Sequence, residues 1–294
     1  MAYFSVTLND DENKFFKGLS AGLAKMDEGE YFLVDRRMVN KRYYMYSIEC
    51  SEGYIPTRDS YLSAMNVLSE ALSKHIVRVY ETRLLKKMID RCYYYFSKDE
   101  KEIIYNNAKL LSEEYNKELS NYKINELGND INELLRETQE INLDGFLFFR
   151  SKGYLKGLRE IADRAVDEYL MEREYNDFIR LLKYFVDLQS PKLETVNIVI
   201  KDETYQLLDG DLKELDDHFI ESSIQESLES DMNADDILIS FLLTMAPARI
   251  NIHFAGRAMN KEIIDTIINV FGERVKICCG CDLCNNISSI TKSN

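Results

Sequence analysis

The chain has 294 residues, enough for one large domain or two ordinary ones at about 100 to 200 residues each. With 45% hydrophobic and 30% charged residues it is neither a disordered chain nor a membrane-embedded one, and 12 glycines with 3 prolines favour long helices over a turn-rich β architecture. A formal charge of −14 opposes binding to phosphate backbones unless a basic patch is held apart from that field.

In chain order, residues 3–8 are β-branched or aromatic at several positions and read as a strand. A helical pattern follows over 12–26, then strands over 31–36 and 43–50 joined by a polar link suited to a hairpin. This is a small β-α-β-β module. Within its helix Gly18 and Gly22 thin one face, as close packing on the sheet requires.

From Arg58 apolar residues advance by three or four through Leu62, Met65, Leu68, Leu72, Ile76 and Val79. The series goes on through Tyr80, Leu84, Met88, Cys92 and Tyr95, one long amphipathic helix. Ser97 with Glu100 spells a capping box and starts another helix near Lys98, running through Tyr115. Further helical patterns cover 130–141, 154–170 and 173–188, the last two joined or nearly so, before Ser190-Pro191. The middle of the chain is a helical bundle.

After Pro191 the alternation of Val196, Ile198 and Ile200 gives a strand, with 205–208 returning as its hairpin partner. An amphipathic helix is expected over 212–228, and the all-apolar run 237–245 is expected to be a buried one. Ile250, Ile252 and Phe254 alternate, a helix runs through Ile263 to Phe271, and Val275 and Ile277 alternate again, a β-α-β unit. Its right-handed crossover puts the carboxyl ends of both strands, Phe254 and Cys278, at one sheet edge. The fold class is therefore α+β and helix-rich: N-terminal module, helical middle, C-terminal hairpin and β-α-β element. The few N-terminal strands either keep a sheet of their own or join the C-terminal ones in one mixed sheet. The divisions are 1–56, 57–190, 191–285 and a frayed tail, 286–294.

The strongest local feature is Cys278-Cys279-Gly280-Cys281-Asp282-Leu283-Cys284. Two residues between cysteines form a tight loop that aims both sulfurs at one ion, and 278, 281 and 284 repeat that interval. The crossover adds His253, so Cys278, Cys281, Cys284 and His253 are a candidate Cys3His zinc site. A full zinc signature has two separated ligand pairs where this chain has one cluster. Three other readings remain. An iron–sulfur run needs a further cysteine at 288, which is serine. A dithiol of thioredoxin type needs a following helix, and residues 285–294 have no helical pattern. The third is a tail whose cysteines are incidental small apolar residues.

Catalytic signatures of nucleophile-elbow, zincin, dinucleotide or P-loop type are absent from the sequence. The histidines are His75, His218 and His253, none in a motif, and the acidic runs 209–217 and 226–236 spell no calcium loop. Arg36, Arg37, Lys41 and Arg42, and Arg83, Lys86, Lys87 and Arg91, alternate with tyrosines as a single-strand nucleic-acid groove would. Their four-residue spacing on the long helix is that of a solvated face, so a protein partner is expected before a nucleic acid. Twelve apolar residues at 237–248 fall short of the roughly 20 that cross a bilayer. No signal peptide is read at the N-terminus, and clustered cysteines argue against a disulfide framework, so the expected location is cytoplasmic.

Several segments then carry a resemblance. These are Ala165-Val-Asp-Glu-Tyr-Leu-Met-Glu with Glu174-Tyr-Asn, Leu181-Leu-Lys-Tyr-Phe-Val-Asp, Gln206-Leu-Leu-Asp, Asp236-Ile-Leu-Ile-Ser, and Val270-Phe-Gly-Glu-Arg-Val with Gly280-Cys-x-x-Cys284. Over 146–284, about half the chain, it resembles the YtxC-like family of sporulation proteins from endospore-forming Firmicutes. The resemblance implies a sporulation setting and supplies no reaction, ligand or catalytic residue. Two functions are thus expected: a non-enzymatic interaction or regulatory protein of spore formation, or a zinc-binding or thiol-redox protein using the cysteine cluster.

Overall fold

A computed structural model describes residues 2–9, 13–41, 43–201, 204–215, 233–254 and 261–286. The chain divides into two compact units, 1–170 and 171–294.

In the first unit, β1 (Ala2–Leu8), α1 (Lys14–Leu23), β2 (Phe32–Asn40) and β3 (Tyr43–Cys50) form the expected β-α-β-β module. Its sheet has the order β2-β3-β1-β4, and β4 (Glu140–Asn142) is a strand the sequence did not betray, parallel to β1 with Ile141 opposite Val6. Periodicity assigned 130–141 wholly to a helix because Ile141 extends the stripe of Ile131 and Leu135. The chain instead leaves the helix at Gln139, whose φ is 56°. The thin face of α1 packs on a helix, not on the sheet: a Cβ on Gly22 would meet Val67 Cγ1 at 2.7 Å, and one on Gly18 would meet nothing within 4 Å.

The helix expected from Arg58 is interrupted. α2 (Arg58–His75) passes through a π-helical turn, Ile76–Tyr80, into α3 (Glu81–Cys92). A π turn holds one residue more than an α turn and re-phases the helix beyond it. Leu68, Leu72, Ile76 and Tyr80 are buried as the period dictates, but past the turn the fully buried positions are Leu85 and Ile89, in place of Leu84 and Met88. The helices expected over 98–115 and 130–141 are one, α4 (Lys98–Thr138). At its start the Ser97 N–H donates to Glu100 Oε2 at 2.8 Å and the Glu100 N–H to Ser97 Oγ at 3.3 Å, the capping box read from sequence. After β4 come α5 (Leu143–Phe149) and α6 (Lys152–Leu188), the latter joining the two patterns seen at 154–170 and 173–188.

The core of the first unit has two parts. Sheet residues Phe4, Val6, Leu8, Tyr46 and Ile48 pack with α1, α2 and the C-terminal half of α4, while Leu85, Ile89, Ile104, Ala108, Leu158 and Ala165 pack with one another. Between them α4 meets a buried carboxylate. Glu81 is 1% exposed and accepts hydrogen bonds from Ser112 Oγ, from Asn116 Nδ2 at 2.9 Å and from Tyr154 OH at 2.6 Å, with Lys123 Nζ 3.7 Å away.

Besides Tyr54, raised by its hydrogen bond to the Glu28 carboxylate, three tyrosines in this unit resist ionisation. Burial, reinforced by the Glu81 carboxylate, raises Tyr154; burial and then the Asp163 carboxylate raise Tyr93; burial raises Tyr80, whose oxygen accepts from the Asn9 N–H at 2.8 Å. Each folded pKa lies above the unfolded value of about 10, so the unfolded chain releases these protons first. Their contribution to stability is complete below about pH 10 and is lost as pH rises beyond it. In an alkaline titration, tyrosinate absorbance from these three should appear only together with loss of helical ellipticity. Ionisation of all 19 tyrosines near pH 10 with the fold intact would contradict this burial.

In the second unit β5 (Thr195–Lys201) and β6 (Thr204–Leu208) form the expected hairpin, and β7 (Arg249–Phe254) and β8 (Val275–Ile277) add in parallel, giving the order β6-β5-β7-β8. The two sets of strands belong to separate four-stranded sheets, so the single mixed sheet does not form. α7 (Ala234–Met245) and α8 (Lys261–Phe271) bring Phe241, Leu242, Ile264, Ile267 and Phe271 onto Val196, Ile198, Ile250 and Ile252. The helix expected over 212–228 does not begin at Leu212, whose φ is 62°. Asp209 Oδ1 accepts the amides of Asp211 and Lys213 at 2.8 and 2.9 Å, a local turn that competes with helix formation; residues 216–232, with His218, lie outside the described residues. No helix among the described residues is long and apolar enough to cross a membrane.

Candidate metal centre

Alternation along β7 sends Ile250 and Ile252 into the core and Asn251 and His253 to the opposite face. β8 runs beside it with Ile252 opposite Ile277, and the Cys278 amide donates to the Ile252 carbonyl at 2.9 Å, extending the ladder by one bond. Cys278 therefore leaves the sheet beside His253. The chain then turns at Gly280, where φ is 119°, a conformation that glycine alone adopts without strain. A short helix, α9 (Asp282–Asn286), follows and returns Cys284 to the same place. No helical pattern is visible in the sequence at this point because five residues are too few to show a period.

The ligand atoms of His253, Cys278, Cys281 and Cys284 all lie within 4.8 Å of one another. Cys281 Sγ is 3.3 Å from His253 Nδ1, Cys284 Sγ is 3.8 Å from the same nitrogen, and the two sulfurs are 3.8 Å apart. A tetrahedral ion with metal–sulfur bonds near 2.3 Å and a metal–nitrogen bond near 2.0–2.1 Å needs edges of about 3.8 Å between sulfurs and about 3.5 Å from sulfur to nitrogen. The three edges among Cys281, Cys284 and His253 match, and Cys278 Sγ lies within 4.8 Å of the other three ligand atoms. Cys279, within the same run, is exposed and stands outside the group, as do Cys50 and Cys92.

The imidazole is oriented by its neighbours on the sheet. Asn197, on β5 and 5% exposed, donates from Nδ2 to the Asp209 carbonyl at 2.7 Å, which fixes its amide orientation. Its Oδ1 accepts from Asn251 Nδ2 at 2.9 Å and faces His253 Nε2 at 3.4 Å. The proton of a neutral His253 thus belongs on Nε2, and the Nδ1 lone pair points at the sulfurs. Burial lowers the His253 pKa, keeping the ring neutral. The backbone amide of Cys284 donates to the Cys281 sulfur, with that of Leu283 adding, and together they lower this thiol's pKa toward the ligating thiolate form. Asn197 escaped notice in the sequence: only the register Val199 opposite His253 and Asn197 opposite Asn251 brings it there.

The other singled-out residues lie elsewhere. His75 is buried with its ring 5.5 Å from those of Phe15 and Tyr80. Arg36 lies 3.8 Å over the Tyr44 ring, Arg37 pairs with Asp35 and Lys86 with Glu102, so these cations are engaged within the chain. Arg42 lies outside the described residues.

A sequence model of the YtxC-like family matches residues 66–276, more than two thirds of the chain, and starts well before the segment that carried the resemblance. His253 falls inside the matched range and Cys278 to Cys284 just beyond it. Over 158 residues the chain is 31% identical to the uncharacterised protein YtxC of Bacillus subtilis strain 168, a match covering 49% of this chain and 53% of that one. It thus spans about half the length of that curated relative. No solved structure matches.

Proposed function

We propose that this chain, which belongs to the YtxC-like family, is a zinc-binding protein whose single ion is held by Cys278, Cys281, Cys284 and His253 and staples the segment after β8 to the sheet. The carrying observation is the convergence of three sulfurs and one imidazole nitrogen within 4.8 Å of one another, with Cys281, Cys284 and His253 at tetrahedral spacing. Four protein ligands leave no open position, which is the pattern of a structural rather than a catalytic zinc site. A dithiol reading uses two of these sulfurs and leaves His253 without a role. In the cell, the family resemblance supports a cytoplasmic interaction or regulatory role during spore formation, carried by surfaces that the ion holds in place. A pull-down from sporulating cells with no specific partner would count against that role.

Untagged protein purified without oxygen should contain one zinc per chain by elemental analysis. Well under one equivalent of zinc or any other metal would refute the site. The second test concerns Asn197. Asn197→Ala removes the acceptor for the Nε2 proton while leaving all four ligands, so zinc affinity in a chelator competition should fall about 10- to 100-fold. An unchanged affinity would show that His253 is not oriented through Asn197.

A further inference from the structure

Residues 171–188, the C-terminal part of α6, present two apolar faces. Ile179, Leu182 and Val186 pack into the core of the second unit. A second stripe faces outward: Phe178 is 55% exposed, Leu181 63%, Tyr184 64%, Phe185 54% and Leu188 68%. Surface helices of soluble proteins normally oppose their core face with charge, and an apolar patch of this size marks an interaction surface.

We propose that this stripe joins two copies of the chain in an antiparallel helix pair. Phe178, Leu181, Phe185 and Leu188 follow the 3-4-3 spacing of a coiled-coil seam. The order Phe-Leu-Phe-Leu, read in reverse, becomes Leu-Phe-Leu-Phe. A two-fold axis at the level of Lys183 therefore sets Phe178 against Leu188 of the second copy and Leu181 against Phe185, so every ring meets an aliphatic side chain. Such self-complementarity is what an isologous interface requires, whereas an unrelated partner has no need of it. The three aromatic side chains still expose roughly half of the 150–250 Å2 that such a residue can bury, and the two leucines add about 100 Å2 each. That amounts to about 500 Å2 per copy and about 1,000 Å2 for the pair, the lower bound of a specific interface. Charge sets the salt response. Two chains of −14 repel one another, so added salt should strengthen the association, where a complex with a basic partner would weaken.

Sedimentation equilibrium of the full, zinc-loaded chain at micromolar concentration should give twice the 34.4 kDa chain mass, with tighter association at higher salt. Leu181→Asp combined with Phe185→Asp should be monomeric, and because both side chains are exposed its melting temperature should match that of the parent dissociated by dilution. Phe178→Lys alone should weaken the dimer at least tenfold and serves if the double variant fails to fold. Tyr94→Asp, in a different exposed aromatic cluster, should leave the dimer intact. A monomeric parent chain at high salt would overturn the proposal. So would a dimer that persists in the α6 variants, or one that Tyr94→Asp dissociates instead. Zinc content, measured on each sample, separates failure of this interface from failure of the metal site.

Discussion

Glu81→Ala should destabilise the chain by about 3–5 kcal/mol, seen as a lowered denaturant midpoint at unchanged slope. The magnitude reflects the groups that the carboxylate leaves behind. Ser112, Asn116 and Tyr154 would lose a buried acceptor, and Lys123, whose side chain is 14% exposed, would lose its counter-charge. Each unsatisfied donor costs about 1–3 kcal/mol when water cannot replace the partner. Glu81→Gln should fall between the parent and the alanine variant: one oxygen still accepts, but the new amide group confronts donors. Tyr154→Phe removes one bond to a charged acceptor and should cost about 1.5–3 kcal/mol. If Glu81→Ala unfolds within about 1 kcal/mol of the parent, the network is decoration and the two parts of the first unit's core hold without it.

Cys281→Ser should lose zinc, with an affinity drop exceeding the roughly 100-fold upper range for changes to groups that merely orient a ligand, because a metal–thiolate bond itself is removed. The consequence for folding is local. The core of the second unit is built from Val196, Ile198, Phe241, Ile250, Ile252, Ile264, Ile267 and Phe271, none of them in the cysteine segment. By contrast β8 has three residues, two of them exposed, and α9 has five, so beyond the ladder to β7 an ion held there would be the main tie on this stretch. Hydrogen exchange should therefore show protection of the Cys278 amide, bonded to Ile252, lost on substitution or chelation while the β5 amides remain protected. With free zinc at about 1,000 times its Kd, the bound ion contributes about 4 kcal/mol to global stability, and the variant should lose up to that amount. Retained protection at Cys278 in metal-free protein would show that the ion does not staple the segment and would point to a role in binding or exchange.

The C-terminal half of the fold was readable because its signals are local and unmixed. Strict alternation at Ile250, Ile252 and Phe254, a clean helical stripe from Ile263 to Phe271 and a second alternation admit one connection, and its handedness brings His253 to Cys278. The features that went unread depended on contacts between distant segments. α4 looked like two helices because its apolar period fades between Leu111 and Leu127, where the helix faces the polar Glu81 group through Ser112, Asn116 and Lys123. A sequence shows that stretch only as hydrophilic. Glu81 was one carboxylate among 51 acidic residues, and nothing adjacent marks it as buried. β4 was lost because three residues cannot display alternation, and Asn197 because its role rests on strand register.

The π turn at Ile76–Tyr80 acts as a phase-setting spacer. Its extra residue rotates α3 by about 100° relative to an uninterrupted α-helix. Wound as a plain α-helix without the π turn, the same residues would bring Tyr80 into the place of Glu81 and leave Ser112, Asn116 and Tyr154 facing a side chain without a carboxylate. The two halves of this helical rod serve different cores that no single helical period can satisfy together, so its length in residues is as much a part of the design as their identity.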